Sequence, residues 1–453
     1  MSRQTINHQV IRLTNGPKHH LFGFHDLIIS NPDDTKYLCL EVDCINRPPL
    51  AGELFGVGYV ENEQFIRVGE TTALNYPQGS RQQWVGKTEL FTVNNRVGHL
   101  WGTDLYDAKS NCLIDRYDAT SHMLSKDGRL AFGLDYARLF RLGGYGYSGI
   151  GDSYLNDPIP SQTGITILDL QTKEIKLLVS VKEVACFGTR GRIPGTSHHY
   201  LTHLCVNPSS TRIAFLHRYF MGDGGMMTRL MTIGTDGSNL RCLAQGFLSH
   251  FDWKDDNHLY IYGRANSAVD SIRNNPLFSN PIVAPFLRVA KKALKILLHK
   301  EGKSIAPSSS FLEINDSSEP VIQPFAQSII TSDGHPMTCP MNSDWCVCDT
   351  YPDDNGIRSL MLYRFSNNSR IDLGRFKKID EKPDMTLALE FFAGVDPTIL
   401  NSIAPDSLAF TRSGLHCDLH PRWNSKGDKV VFDSIHEGSR QVYLVNVDSI
   451  INQ

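Results

Sequence analysis

The side chains best able to do chemistry are histidines, and they come in groups. The densest reads SHHYLTHLCVNP and holds His198, His199, Tyr200 and His203, and the following run ends in LHRYF with His217 and Arg218. Others stand in SHFDW (His250), DGHPMTCP (His335) and HCDLHPRW (His416, Cys417, His420). Two chemistries suit such a set. Imidazoles and a thiolate can hold a divalent metal, with His250, His335, Cys417 and His420 as candidate ligands. Alternatively, histidine and tyrosine can move protons while Arg218 neutralises a carboxylate. The stretch GGYGYSGIGD from Gly143 is a glycine-rich loop that either offers Tyr145 or Tyr147 to a sugar ring or simply packs them. No G-x-S-x-G elbow, Walker A loop, H-E-x-x-H or C-x-x-C pair is present.

Histidines so far apart in sequence need a scaffold that brings them together. One phrase recurs: an apolar position, a polar turn, then a short β-rich run. It reads SNPDDTKYLCLEV from Ser30, LSKDGRLAFGLD from Leu124, VNPSSTRIAFLHR from Val206, DWKDDNHLYIYGR from Asp252 and WNSKGDKVVFDS from Trp423. A weaker copy is PMNSDWCVCDTY from Pro340, and a degenerate unit lies around Trp84–Asp118. Asp, Asn, Gly and Ser supply the turn chemistry, and the alternating runs read as strands. Strands in fours at a period of roughly 40–50 residues mark a β-propeller. We therefore expect an all-β, seven-bladed β-propeller with helical insertions, as one domain over residues 1–453. QVIRLT from Gln9 would add a strand to the last blade and close the ring. In such a ring the histidine groups, each near a blade junction, converge on the central channel.

Two inserts break the period. Residues 377–412 predict a helical or irregular excursion. Residues 265–310 hold IVAPFLRVAKKALKILLHKEGK, whose helical projection puts Arg288, Lys291, Lys292, Lys295 and His299 on one face and apolar residues opposite. Two readings stay open for this basic amphipathic helix. It docks on the propeller with its lysines in solvent, or it meets an anionic membrane surface through residues 282–303.

Composition narrows the class. The 453 residues are 41% hydrophobic and 21% charged, near globular averages, which excludes a disordered chain or a fibre. A formal net charge of -3 gives no reason to expect a nucleic-acid partner. No run of eighteen apolar residues and no secretory h-region are present, so a cytoplasmic protein, membrane-peripheral if the basic helix binds lipid, is expected. The ten scattered cysteines suit reduced thiols.

The phrases HYLTHLCVNPSSTRIAFLHR, SHFDWKDD and DLHPRWNSKGDKVVFDSIHEGSRQVYLV resemble the oligogalacturonate lyases and the related propeller-type ulvan lyases. LFGFHD, LSKDGRLAFGLDYARL, GYGYSGI and DTYPD are similar to the wider propeller lyase group, and both inserts lie outside the resemblance. It implies a lyase that cleaves acidic, uronate-containing oligo- or polysaccharides by β-elimination. It gives His203 the role of catalytic base, and His250 and His420 those of ligands to a divalent ion, manganese or zinc. Tyr200 and Arg218 would be acid and carboxylate neutraliser, and His199 a substrate contact or auxiliary acid/base. The chain departs from the pattern at Phe24 and His25, where a tyrosine pair is usual, at Pro336 after His335, where a cysteine is usual, and at Asp418, where a histidine is usual. The competing expectations are a non-catalytic binding module and an accessory protein of cell-surface glycan synthesis at the inner membrane face.

Overall fold

The recurring phrase has a physical basis in one asparagine. The side-chain oxygen of Asn31 accepts the Thr35 and Lys36 amides at 2.9 and 3.0 Å. Asn207 does the same for Thr211 and Arg212 (2.8 and 2.9 Å), and Asn424 for Asp428 and Lys429 (3.0 and 2.9 Å). Each side chain closes the turn and sets the register of the next strand. The computed structural model describes residues 3–5, 9–189, 198–221, 225–266 and 309–452. Their strands build an all-β propeller of mostly antiparallel sheets.

The described strands form six hydrogen-bonded sheets rather than the seven separate blades expected. Four sheets have four strands, one has five, and one has seven. The reason is the long strand Arg241–Trp253. Its first half pairs with Met226–Gly234 and its second half with His258–Ala265, the change falling at Gly246. Divided there, the large sheet gives two four-stranded groups, and the period read from the sequence reappears.

Neighbouring sheets are held by apolar side chains and by a repeated staple. The Trp84 indole donates to the Ile29 carbonyl, Trp253 to Cys205, and Trp423 to Met337, each at 2.9 Å. In each case a tryptophan on one inner strand satisfies a buried carbonyl of the preceding unit. The ring closes where Val10–Arg12 pairs antiparallel with Gln441–Asn446. Arg3–Thr5 also lies parallel to Ser369–Lys377.

Within the second insert, short helices run over Met385–Phe392, Pro397–Leu400 and Pro405–Arg412. Phe391, Phe392, Val395, Ile399 and Leu408 pack with Phe140 and Phe220 of the propeller. The basic helix expected at 282–303 lies outside the described residues. No described helix is long and apolar enough to cross a membrane.

Candidate functional site

The histidines of the inner strands meet around one phenylalanine. The Phe24 ring lies 5.1 Å from those of His203 and His420, 6.1 Å from His335 and 6.2 Å from His250, centroid to centroid. His335 is 4.2 Å from His250 and 4.3 Å from His420. His25 stands in the same group, 5.5 Å from His335 and 6.1 Å from His250. Sequence reading noted His25 only as a departure from a pattern. The chain reaches this point through Gly23, where φ is 128° and an added Cβ would fall 2.6 Å from the Gln78 backbone. Only glycine fits there.

Outer partners fix the tautomers. His420 Nδ1 lies 2.9 Å from the Gly23 carbonyl, which can only accept, so Nδ1 carries the proton and Nε2 keeps its lone pair. His250 Nδ1 donates to Asp333 at 3.2 Å, with the same consequence, and His335 Nδ1 donates to Asp349 at 2.8 Å. The buried Asp349 also accepts the backbone amides of His335 (2.7 Å) and His420 (3.2 Å), so one carboxylate orients the His335 ring and fixes the backbone of both residues. Imidazoles anchored at Nδ1 by an outer acceptor, with Nε2 turned inward, are the arrangement metal-binding histidines use. The ligand atoms of His335, Asp418 and His420 lie within 4.8 Å of one another. Asp418 is held by Arg358 Nε at 3.1 Å. Burial opposes its ionisation, but His416, Arg358 and His335 hold its carboxyl well below the usual range. Burial pulls the His335 pKa down, yet Asp349 and then Asp418 more than offset this and leave it raised. Neither ring nitrogen of the buried His25 makes a well-formed hydrogen bond among the described residues, the Pro336 backbone giving only a weak one. A buried imidazole with an under-used ring, beside two anchored imidazoles and a carboxylate, fits a divalent cation.

On the other side of Phe24 stands His203. Its Nδ1 pairs with Thr202 Oγ1 at 2.9 Å and its Nε2 faces the Gln78 amide at 3.5 Å. Burial first, then Arg218 and His250, holds its pKa well below the ordinary value, so the ring is neutral and able to take a proton. Its φ is 57°, and that of His420 is 41°; strained backbone at two side chains of one cluster is common at functional sites. Tyr200, on the same strand, pairs across the ladder with Arg218. Burial raises its pKa, with Arg218 and then Arg412 opposing, so it keeps its proton at neutral pH. Arg218 Nε is buried with no hydrogen-bond partner among the described residues. Tyr145 meets His203 edge-on at 6.3 Å. Tyr351, 37% exposed, packs against His335 at 5.4 Å and His250 at 6.0 Å and marks the solvent side.

Three expected residues stand elsewhere. Tyr147 is fully buried, stacked on Tyr136 at 4.3 Å and bonded to Asn94, so it supports the loop and cannot meet a sugar. Cys417 turns into the hydrophobic core with Leu415 and Val431, because alternate residues of an extended chain face opposite ways; its neighbour Asp418 takes the place by His335 and His420. His199 stacks on Tyr219 at 4.7 Å and pairs with His217 at 2.9 Å, away from Phe24. Sequence reading missed Phe24, His25, Asp349 and Tyr351 as parts of the site. The signals available were LFGFHD and DTYPD, whose residues have no chemical spacing of their own. A cavity of about 500 Å³ lies further along the same inner strands, between Met123, Asp252 and Met337, and none of the clustered histidines lines it.

A closed set of small sheets carrying imidazoles to its axis defines the class: a β-propeller with its site at the inner strands. No protein family model matches the chain, and no curated protein matches it. Among solved structures it is similar to an oligogalacturonate lyase in complex with manganese, at 12% identity over 98% of this chain and 95% of that one, with a TM-score of 0.58. It is likewise similar to the oligogalacturonate lyase of Vibrio parahaemolyticus, at 12% identity over 97% and 94% of the two chains, TM-score 0.55. The chain therefore has the fold of those propellers along nearly its whole length.

Proposed function

We propose that this protein is a lyase that cleaves short uronate-containing glycans by β-elimination. One observation carries the reading: a neutral histidine and a protonated tyrosine both feel one arginine, whose buried Nε has no hydrogen-bond partner among the described residues, beside a His/Asp/His cluster suited to a divalent cation. Elimination needs these parts. Arg218 pairs with the uronate carboxylate and makes the C5 proton removable. His203 takes that proton; the C5–H electrons form the C4–C5 double bond, and the C4–O bond breaks. Tyr200 gives its proton to the departing oxygen. His335, Asp418 and His420 would hold the metal, with His250 and His25 beside them; a bound divalent ion, manganese being the one in the similar lyase, would add positive charge near the carboxylate. The TM-score of 0.58 to that lyase supports the reading at the level of fold.

The test is absorbance near 232 nm, where the unsaturated product absorbs, on a panel of short acidic glycans with manganese present. Signal should grow with wild-type protein and fall by at least ~10²-fold in His203→Ala, with an unchanged thermal melt. No signal on any glycan, or equal signal in the variant, would remove the proposal.

A further inference from the structure

Buried carboxylates in this protein face cations. Among the described residues Asp104, Asp372, Asp418 and Asp433 each meet an arginine within 3.1 Å. Asp252 has neutral partners instead: the Thr338 amide at 2.7 Å, the Cys205 thiol at 3.3 Å and the Tyr260 hydroxyl at 3.5 Å. Burial pushes its carboxyl up to about 6 against the pull of these bonds, so at neutral pH it carries a charge that only neutral donors meet. The same carboxyl lines the cavity of about 500 Å³. That volume lies within the roughly 300–1,000 Å³ of small-molecule sites. The cavity reaches solvent between turns of the recurring phrase, where Lys126 and Asp256 are exposed and opposite in sign. The other charges along it are matched. Asp26 takes Arg81 at 2.8 and 3.1 Å, Lys254 pairs with Glu313 at 3.0 Å, and Asp255 with His258 at 3.0 Å. The walls around Asp252 are apolar and rich in sulfur, with Met123, Met337 and Met341 beside Trp253. Thioethers are polarisable and adapt to bodies of varied shape.

We infer that this cavity is a second ligand site, separate from the histidine cluster, and that it takes a small organic ammonium with an apolar body. The ammonium sits on Asp252 and supplies the counter-charge the fold withholds; the body lies against the methionines and Trp253. A neutral alcohol of the same skeleton gains the walls but not the charge, and a carboxylate of that skeleton is repelled. The two sites share strands and segments without sharing side chains: Cys205 follows His203 by two residues, Asp252 follows His250 by two, and Met337 follows His335 by two. No residue lining the cavity takes part in the elimination, so the inference stands independently of the lyase reading.

The experiment titrates the full-length protein, labelled with ¹³C at its methionine methyls, with hexylammonium, phenethylammonium and phenylpropylammonium at pH 7.5. The alcohol and carboxylate of each skeleton serve as controls. At least one ammonium should bind ~10-fold or more tightly than its alcohol, and its carboxylate should not compete. The methyl signals of Met123, Met337 and Met341, assigned by single Met→Leu substitutions, should move together during that titration, and those of the remaining methionines should stay in place. In Asp252→Asn the preference for ammonium over alcohol should vanish while the alcohol still binds, with a thermal melt as the check on folding. Should that variant not fold, the comparison of charged and neutral probes and the methyl map, both made on wild type, decide the matter. Absence of ammonium binding, equal affinity for ammonium and alcohol, movement of other methionine signals instead, or a preference that survives in folded Asp252→Asn overturns the inference.

Discussion

At the residue scale the site is organised by carboxylates that never need to touch a substrate. Asp349 is fully buried and joins two distant strand starts, taking the amide and ring of His335 and the amide of His420. Replacing it by asparagine keeps the shape and removes the charge that anchors the His335 tautomer. Partners of this kind are worth ~10–100-fold in metal affinity. Asp349→Asn should weaken manganese binding by that factor, read by calorimetry, with one ion still bound per chain at saturation. Unchanged affinity would mean that the His335, Asp418 and His420 group is not the metal site. His203, His250, His335 and His420 were legible in sequence because imidazole is a rare side chain recurring at one place in a repeated phrase. Asp349 and Phe24 were not. Carboxylates and phenylalanines are common, and what makes these two special is where the ring of sheets puts them. Cys417 and Tyr147 show the converse. Their chemistry was suggestive, but whether a side chain faces the axis or the core depends on a one-residue register that composition does not state.

At the element scale, most order comes from turns that close on themselves and from bonds that cross between units. The turn asparagines are why the repeat was readable: each makes contacts only a few residues away, so the signal survives in the local sequence. The indole staples are not readable that way, since Trp253 and its acceptor Cys205 are far apart in the chain. The number of sheets was obscured for a related reason, the strand Arg241–Trp253 serving two units at once. Asp316 ties those units together. It accepts from Arg212 (2.7 and 3.2 Å) and Thr232 (2.7 Å), and pairs with Arg241 at 3.0 Å. Burial alone would raise its pKa, but its hydrogen bonds from Arg212, Thr232 and Arg241 outweigh this and lower it. A carboxyl with a depressed folded pKa stabilises above its unfolded value, and that stability is lost as pH falls through the folded pKa. Asp316→Asn should therefore cost about 2 kcal/mol at pH 7, and the difference should shrink toward zero below about pH 4. Urea denaturation of both proteins across that range decides it. A gap that stays constant with pH would assign the effect to packing rather than to charge.

At the scale of the whole molecule, closing the ring and forming the site are one event. The first unit supplies Phe24 and His25, the last supplies Asp418 and His420, and the His420 ring is anchored on the Gly23 carbonyl. What holds those two units together is a short seam. Leu13 donates its amide to Val442 at 2.9 Å, and Thr14 Oγ1 both donates to Gln441 Oε1 at 2.7 Å and accepts the Val442 amide at 3.0 Å. The His20 amide donates to the Arg440 carbonyl at 2.9 Å. Without the strand Val10–Arg12, the edge of Gln441–Asn446 would be left with unpaired backbone groups and would invite pairing with another chain. Deleting residues 1–15 should therefore do three things together: lower the melting temperature, promote association, and abolish high-affinity manganese binding although no ligand is removed. Thr14→Val is the milder form, removing the hydroxyl from both buried bonds, and should cost about 1–3 kcal/mol. If the truncated protein melts normally and binds manganese as the full chain does, the seam is dispensable. The axial histidines would then be held by their own sheets rather than by the closed ring.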